Sequence, residues 1–130
     1  MQRIIGFNSI THGKDRILLL GSMPSVKSLE DNMYYANKTN RFWPMLSWIY
    51  GVPTSTLEEK YNVLKIGNIA LWDSCHSCIR QGSMDSNIKE VIPNDIPSLL
   101  KENPTIKKII FNGNTSYKPF MKYYPNIQIE

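Results

Sequence analysis

The sequence predicts the α/β class, built on a central, mainly parallel four-stranded sheet, and three observations lead there. Short, wholly apolar runs such as Ile17-Leu18-Leu19-Leu20 and Ile69-Ala70-Leu71-Trp72 read as strands buried on both faces. These runs alternate with segments of helical periodicity, the pattern of parallel strands joined by right-handed crossovers. Polar sets follow the apolar runs at 22–25, 73–74 and 112–114. In a parallel sheet, ligands lie beyond the carboxyl ends of the strands, so the three sets converge on one site.

Residues 1–16 form a lead-in with turn-like Gly6-Phe7-Asn8 and His12-Gly13-Lys14-Asp15. The first strand is placed at 16–21 and is followed by a long polar loop, 22–39. Asn40 is a candidate cap for a helix over 41–50, where Phe42, Met45, Leu46 and Ile49 recur at helical spacing and Gly51 provides the stop. A second helix is placed at 55–65, capped by Ser55 or Thr56, with Glu58 and Glu59 in its first turn. The second strand spans 67–72 and a polar loop covers 73–86. A short helix at 95–103 is stopped by Pro104, and a third strand lies at 107–111. A helix over 115–123 and a fourth strand at 127–129 complete the reading.

The 130 residues suffice for one domain, and a 42% apolar content with three tryptophans describes a folded chain. Trp43, Trp48 and Trp72 are read as core. The net charge of +4 and pI near 9.1 favour a polyanionic partner without establishing one. No apolar run approaches the ~20 residues of a bilayer span, so no membrane partner and a cytoplasmic location are expected.

Cys75-His76-Ser77-Cys78 is a CxxC. It is open to reading as half a zinc site, a redox pair or plain packing. Zinc needs two further ligands and the only other histidine, His12, lies in the lead-in, so packing is preferred and neither metal nor cofactor is expected. Residues 21–25 lack both the P-loop and the dinucleotide glycine patterns. Tyr34 and Tyr35 are adjacent in a polar loop and must point in different directions, so one can face a planar ligand. Asp73 is the one carboxylate at a predicted strand end, so no carboxylate pair for glycoside hydrolysis is evident there.

Gly21-Ser22-Met23-Pro24-Ser25, Tyr34-Tyr35-Ala36 and Asn40-Arg41-Phe42-Trp43 together resemble motifs of the uracil-DNA glycosylase superfamily, most closely its hypoxanthine (deoxyinosine) branch. Ala70-Leu71-Trp72-Asp73-Ser74, Gly82-Ser83-Met84-Asp85-Ser86 with Ile88, and Phe111-Asn112-Gly113 fit the same branch in order. The resemblance implies a three-layer α/β/α fold and a monomeric enzyme of base-excision repair acting on DNA containing a deaminated base. Such an enzyme flips hypoxanthine, or uracil, out of the duplex before hydrolysing its N-glycosidic bond.

By the same resemblance Tyr35 stacks on the flipped base, and Gly21, Ser22, Met23, Pro24 and Ser25 line the pocket near the sugar. Other branches carry a water-directing Asp or Asn where Met23 stands. A thioether cannot orient water; the hypoxanthine branch shares this gap and places its essential amide in the second segment. The resemblance therefore implies that Asn40 directs water as an oxocarbenium-like sugar develops. Asp73 reads the base edge and Asn112 belongs to the pocket wall. No lysine lies in the matched motifs, which implies a monofunctional glycosylase rather than a Schiff-base lyase. Relatives continue with a Ser/Pro/Thr-rich loop and a terminal helix that grip DNA. This chain stops at Glu130, so the expectation is one domain over 1–130, truncated at the C-terminus and lacking that clamp. The alternatives are a weakly active or inactive nucleic-acid-binding remnant, or a flavodoxin-like binder of small molecules.

Overall fold

The computed structural model describes residues 3–36, 40–83 and 87–111. In chain order the elements are β1 (Ile4–Ile5), β2 (Ile17–Gly21), α1 (Val26–Asp31), α2 (Phe42–Tyr50), α3 (Leu57–Gly67), β3 (Ile69–Asp73), β4 (Cys75–Ile79), β5 (Lys89–Pro93), α4 (Ile96–Glu102) and β6 (Lys108–Phe111). β2 is the middle strand of a parallel sheet ordered β3-β2-β6. Side chains alternate across it. Leu18, Leu20 and Ala70 pack with Ile96 and Leu99 of α4 on one face. Ile69 and Leu71 pack with Trp43, Leu46, Val63 and Leu64 of α2 and α3 on the other. With helices on both faces neither side is wet, which is why these strands read as unbroken apolar runs.

Among the described residues the parallel sheet has three strands, where four were expected. The fourth predicted strand (127–129), the predicted helix over 115–123 and Asn112 lie outside the described residues. A second sheet, antiparallel and ordered β1-β4-β5, was not foreseen. It takes β1 from the lead-in and β4 from the polar loop predicted over 73–86. β4 reads Cys-His-Ser-Cys-Ile, which is too polar to look like a strand. Yet Cys75, Ser77 and Cys78 are all buried and its pairing with β5 shifts register on either side of Ser77. The loop predicted over 22–39 likewise contains α1.

α2, α3 and α4 fall where helices were predicted, with their caps and faces adjusted. Thr56, not Ser55, caps α3 in a reciprocal capping box with Glu59. α2 is rotated from the expected face: Phe42, Trp43 and Leu46 are buried, whereas Met45 and Ile49 are exposed. The Trp43 indole N–H donates to the Tyr34 carbonyl at 2.8 Å and sets that rotation. Trp48, five residues on and ~140° round the helix, is therefore 85% exposed, not core. Trp72 is half-buried, with its indole donating to the Phe7 carbonyl at 3.1 Å.

Candidate active site

β2 and β3 end with Gly21 opposite Asp73. Beyond that pair the two chains stay stapled. The Ser74 amide donates to the Gly21 carbonyl at 2.8 Å, its hydroxyl to the same oxygen at 3.2 Å, and the Cys75 amide to the Ser22 carbonyl at 3.0 Å. Buried Asn94 donates through Nδ2 to the carbonyls of Asp73 (2.7 Å) and Cys75 (3.3 Å). The Asp73 carboxylate, 4% exposed, packs against the Cα of Gly21. A Cβ added at Gly21 would collide with Asp73 Oδ1 and lie 3.4 Å from the Tyr35 hydroxyl oxygen. Glycine is required here for close approach.

Ser25 caps α1 by accepting from the Ser28 amide at 3.1 Å. The buried Ser28 hydroxyl in turn accepts from the Ala36 amide at 3.1 Å, tying α1 to the tyrosine pair. The two rings diverge. Tyr34 is buried edge-on against Phe7 and donates its hydroxyl to the Asn8 carbonyl at 3.1 Å. Burial, then the nearby Asp73 and Tyr35, push its phenol above the usual range. Tyr35 adopts a left-handed backbone with φ of 55° and stacks on Phe42, centroids 4.0 Å apart and planes at 29°. A side chain there costs about 1–2 kcal/mol, a strain that clusters at functional sites. Asn40 is exposed at the start of α2, and its Oδ1 accepts from the Phe42 amide at 2.8 Å. That bond orients the side chain and occupies one of two lone pairs.

These pieces enclose a cavity of about 280 Å³, lined by all five residues of 21–25 together with Ser28, Tyr34, Tyr35, Asn40, Asp73 and Ser83. Every predicted site residue within the described chain therefore borders one space; Asn112 lies outside the described residues. A family profile described as the uracil DNA glycosylase superfamily matches residues 8–128. The chain belongs to that superfamily. Two relatives named hypoxanthine DNA glycosylase, from Methanosarcina acetivorans and Methanosarcina barkeri, are 34% and 31% identical. Each match covers 90% of this chain and 77% of the relative. A solution NMR structure of a Methanosarcina acetivorans protein, provisionally described as a uracil DNA glycosylase, superposes with a TM-score of 0.80 at 31% identity. It covers 99% of this chain and 83% of the other.

The superfamily site has supports that sequence reading missed. Arg80 is buried and ties the Pro24 wall of the cavity to the loop just before Ser83, donating through Nη2 to the Pro24 carbonyl at 2.6 Å and through Nε to the Gly82 carbonyl at 2.8 Å. Beside it, the Val26 amide donates to the Ser83 hydroxyl at 2.8 Å. No carboxylate among the described residues pairs with this guanidinium. The partners lie 56 and 57 residues apart along the chain, so no local signal announces them.

Met23 lines the cavity and packs with Cys75 and Cys78, which are buried free thiols. The Cys75 thiol is pushed up to about 12 by burial, then Cys78 and Asp73, with Arg80 opposing. Such thiols are packing groups rather than nucleophiles. His12 lies at the opposite end of β2 with its Nε2 2.7 Å from Asp15. Among the described residues no group of three or more His, Cys, Asp or Glu side chains is assembled around a metal-sized space. Likewise, none of the described helices is long and apolar enough to cross a membrane.

Proposed function

We propose that this superfamily member is a DNA glycosylase that excises hypoxanthine from DNA by base flipping and hydrolysis of the N-glycosidic bond. The observation that carries the reading is the single cavity beneath the β2 and β3 ends. It joins Asn40, Tyr35 and Asp73 in a chain 34% identical to a relative named for that activity. A cavity of about 280 Å³ is near the lower end for small ligands, suited to one base admitted edge-first.

In this reading the flipped base stacks on Tyr35, whose ring is braced from behind by Phe42. The Asp73 carboxylate accepts the N1–H of hypoxanthine, a proton that adenine lacks, so the site favours the deaminated base. Asn40 uses the second lone pair of Oδ1 to orient a water at C1′ while the sugar acquires oxocarbenium character. Met23 takes no part in that step, because a thioether sulfur is too weak an acceptor to orient a water. Uracil, which offers an N3–H in a comparable place, is the second substrate to test.

The decisive experiment is incision of duplexes carrying a single hypoxanthine, uracil or xanthine, followed by alkaline cleavage of the abasic product. Hypoxanthine release is expected. Salt-dependent binding of plain DNA with no excision from any lesion would favour an inactive DNA-binding remnant instead.

A further inference from the structure

A second cavity, of about 330 Å³, adjoins the first and shares Tyr35 and Asn40 with it as a common wall. Its far side is formed by Trp43, Thr54, Ser55 and Lys60. Trp43 is buried, and its carbonyl accepts from the Thr54 hydroxyl at 3.1 Å, which fixes the rim. The Lys60 ammonium lies 5.6 Å from the centre of the Trp43 ring, held over an aromatic face. Lys60 belongs to neither ion pair recorded among the described residues. The neighbouring carboxylate, Glu59, is turned to the helix start, where its Oε1 accepts from the amides of Ser55 and Thr56 at 3.0 and 2.9 Å.

The placement has a chemical meaning once a nucleotide occupies the first cavity, and the inference rests on the function proposed above. A flipped nucleotide remains covalently part of its strand, so a flanking phosphodiester must leave across the cavity mouth. Asn40 and Tyr35 stand at that mouth, and the ground immediately beyond them is this polar cleft with a cation in it. We propose that the Trp43–Lys60 cleft is a phosphodiester subsite, with Lys60 neutralising a backbone phosphate next to the flipped nucleotide. The aromatic face beneath Lys60 holds the ammonium in place without cancelling its charge. A carboxylate partner would have cancelled it. Such a contact positions the strand and carries no sequence information.

The test is a salt titration of hypoxanthine-DNA binding and single-turnover excision, comparing wild type with Lys60→Gln, Lys60→Arg and Lys60→Glu. Neutralising one phosphate contributes about 0.9 to the slope of log affinity against log salt on duplex, or about 0.7 on a single strand. Lys60→Gln is expected to lower that slope by about this amount, Lys60→Glu to lower affinity further, and Lys60→Arg to restore it. The losses should fall on the half-saturating DNA concentration rather than on the saturated rate. An unchanged slope and affinity in both Lys60→Gln and Lys60→Glu, with melting temperatures intact, overturns the subsite. If Lys60→Gln melts early, the Lys60→Arg and Lys60→Glu pair decides alone: equal slopes overturn the proposal. Failure of the wild type to excise or bind would instead count against the function proposed above.

Discussion

Gly21 and Asp73 end adjacent parallel strands in register, and the glycine's missing side chain is the space that the aspartate carboxylate fills. The site thus depends on an atom that is absent at one position to place a charge at another. Gly21→Ala is expected to fold, because no left-handed backbone is required at 21, but to push the carboxylate and the Tyr35 hydroxyl out of place. Misplacement by about 1 Å costs roughly 10²-fold in rate. Single-turnover excision beside a thermal melt would show it; a rate within twofold of wild type would remove Asp73 placement from the mechanism.

Asn40 and Met23 separate chemistry from packing. Asn40→Ala should lower the excision rate by about 10²–10³-fold, the range seen when one preorganised polar group is lost. Met23→Leu conserves volume in the cluster with Cys75 and Cys78 and should leave the rate within a few-fold. The reverse ranking would return the water-directing role to the 21–25 segment.

Arg80 is the internal strut. Replacing it by Met strands the Pro24 and Gly82 carbonyls it serves, at a cost of about 2 kcal/mol, or roughly 10 °C in Tm. Lys cannot reproduce a two-pronged guanidinium fork, so Arg80→Lys should recover only part of that loss. Melting temperatures of the two variants check this; equal stability to wild type would mean the fork is dispensable.

Alkaline pH should weaken the fold through Cys75. Its thiol is pushed from 9.0 to about 12 in the native state, so the unfolded chain loses its proton first. The stabilisation is complete below pH 9 and is lost as pH rises toward 12. Tyr34, shifted in the same sense, adds to the decline only above its ordinary value of 10.0. Urea midpoints at pH 8, 9 and 10 should therefore fall, and Cys75→Ala should flatten the trend. A flat wild-type profile would contradict the assignment.

What the sequence disclosed and what it hid follow a physical division. β2 and β3 were legible because burial on both faces demands unbroken apolar runs. α3 was legible because Thr56 and Glu59 cap locally. The gathering of Gly21 and Asp73 was legible through strand ends, and that of Tyr35 and Asn40 through motif resemblance. β4 escaped because buried serine and cysteine satisfy a strand without looking hydrophobic. The rotation of α2 escaped because one indole bond to Tyr34, not periodicity, sets it. Arg80, Asn94 and Ser28 escaped because each serves backbone groups that only the folded chain brings near.

One residue, Ser74, separates β3 from β4, so a single ribbon passes from the parallel sheet into the antiparallel one. This makes the stretch intolerant of changes in length. One residue inserted after Asp73 would invert every side chain of β4, turning Cys75 and Ser77 to solvent and His76 into the interior. It would also unhook the Asn94 bridge across the junction. The length of that joint is held as firmly as the two bonds by which Ser74 grips the Gly21 carbonyl.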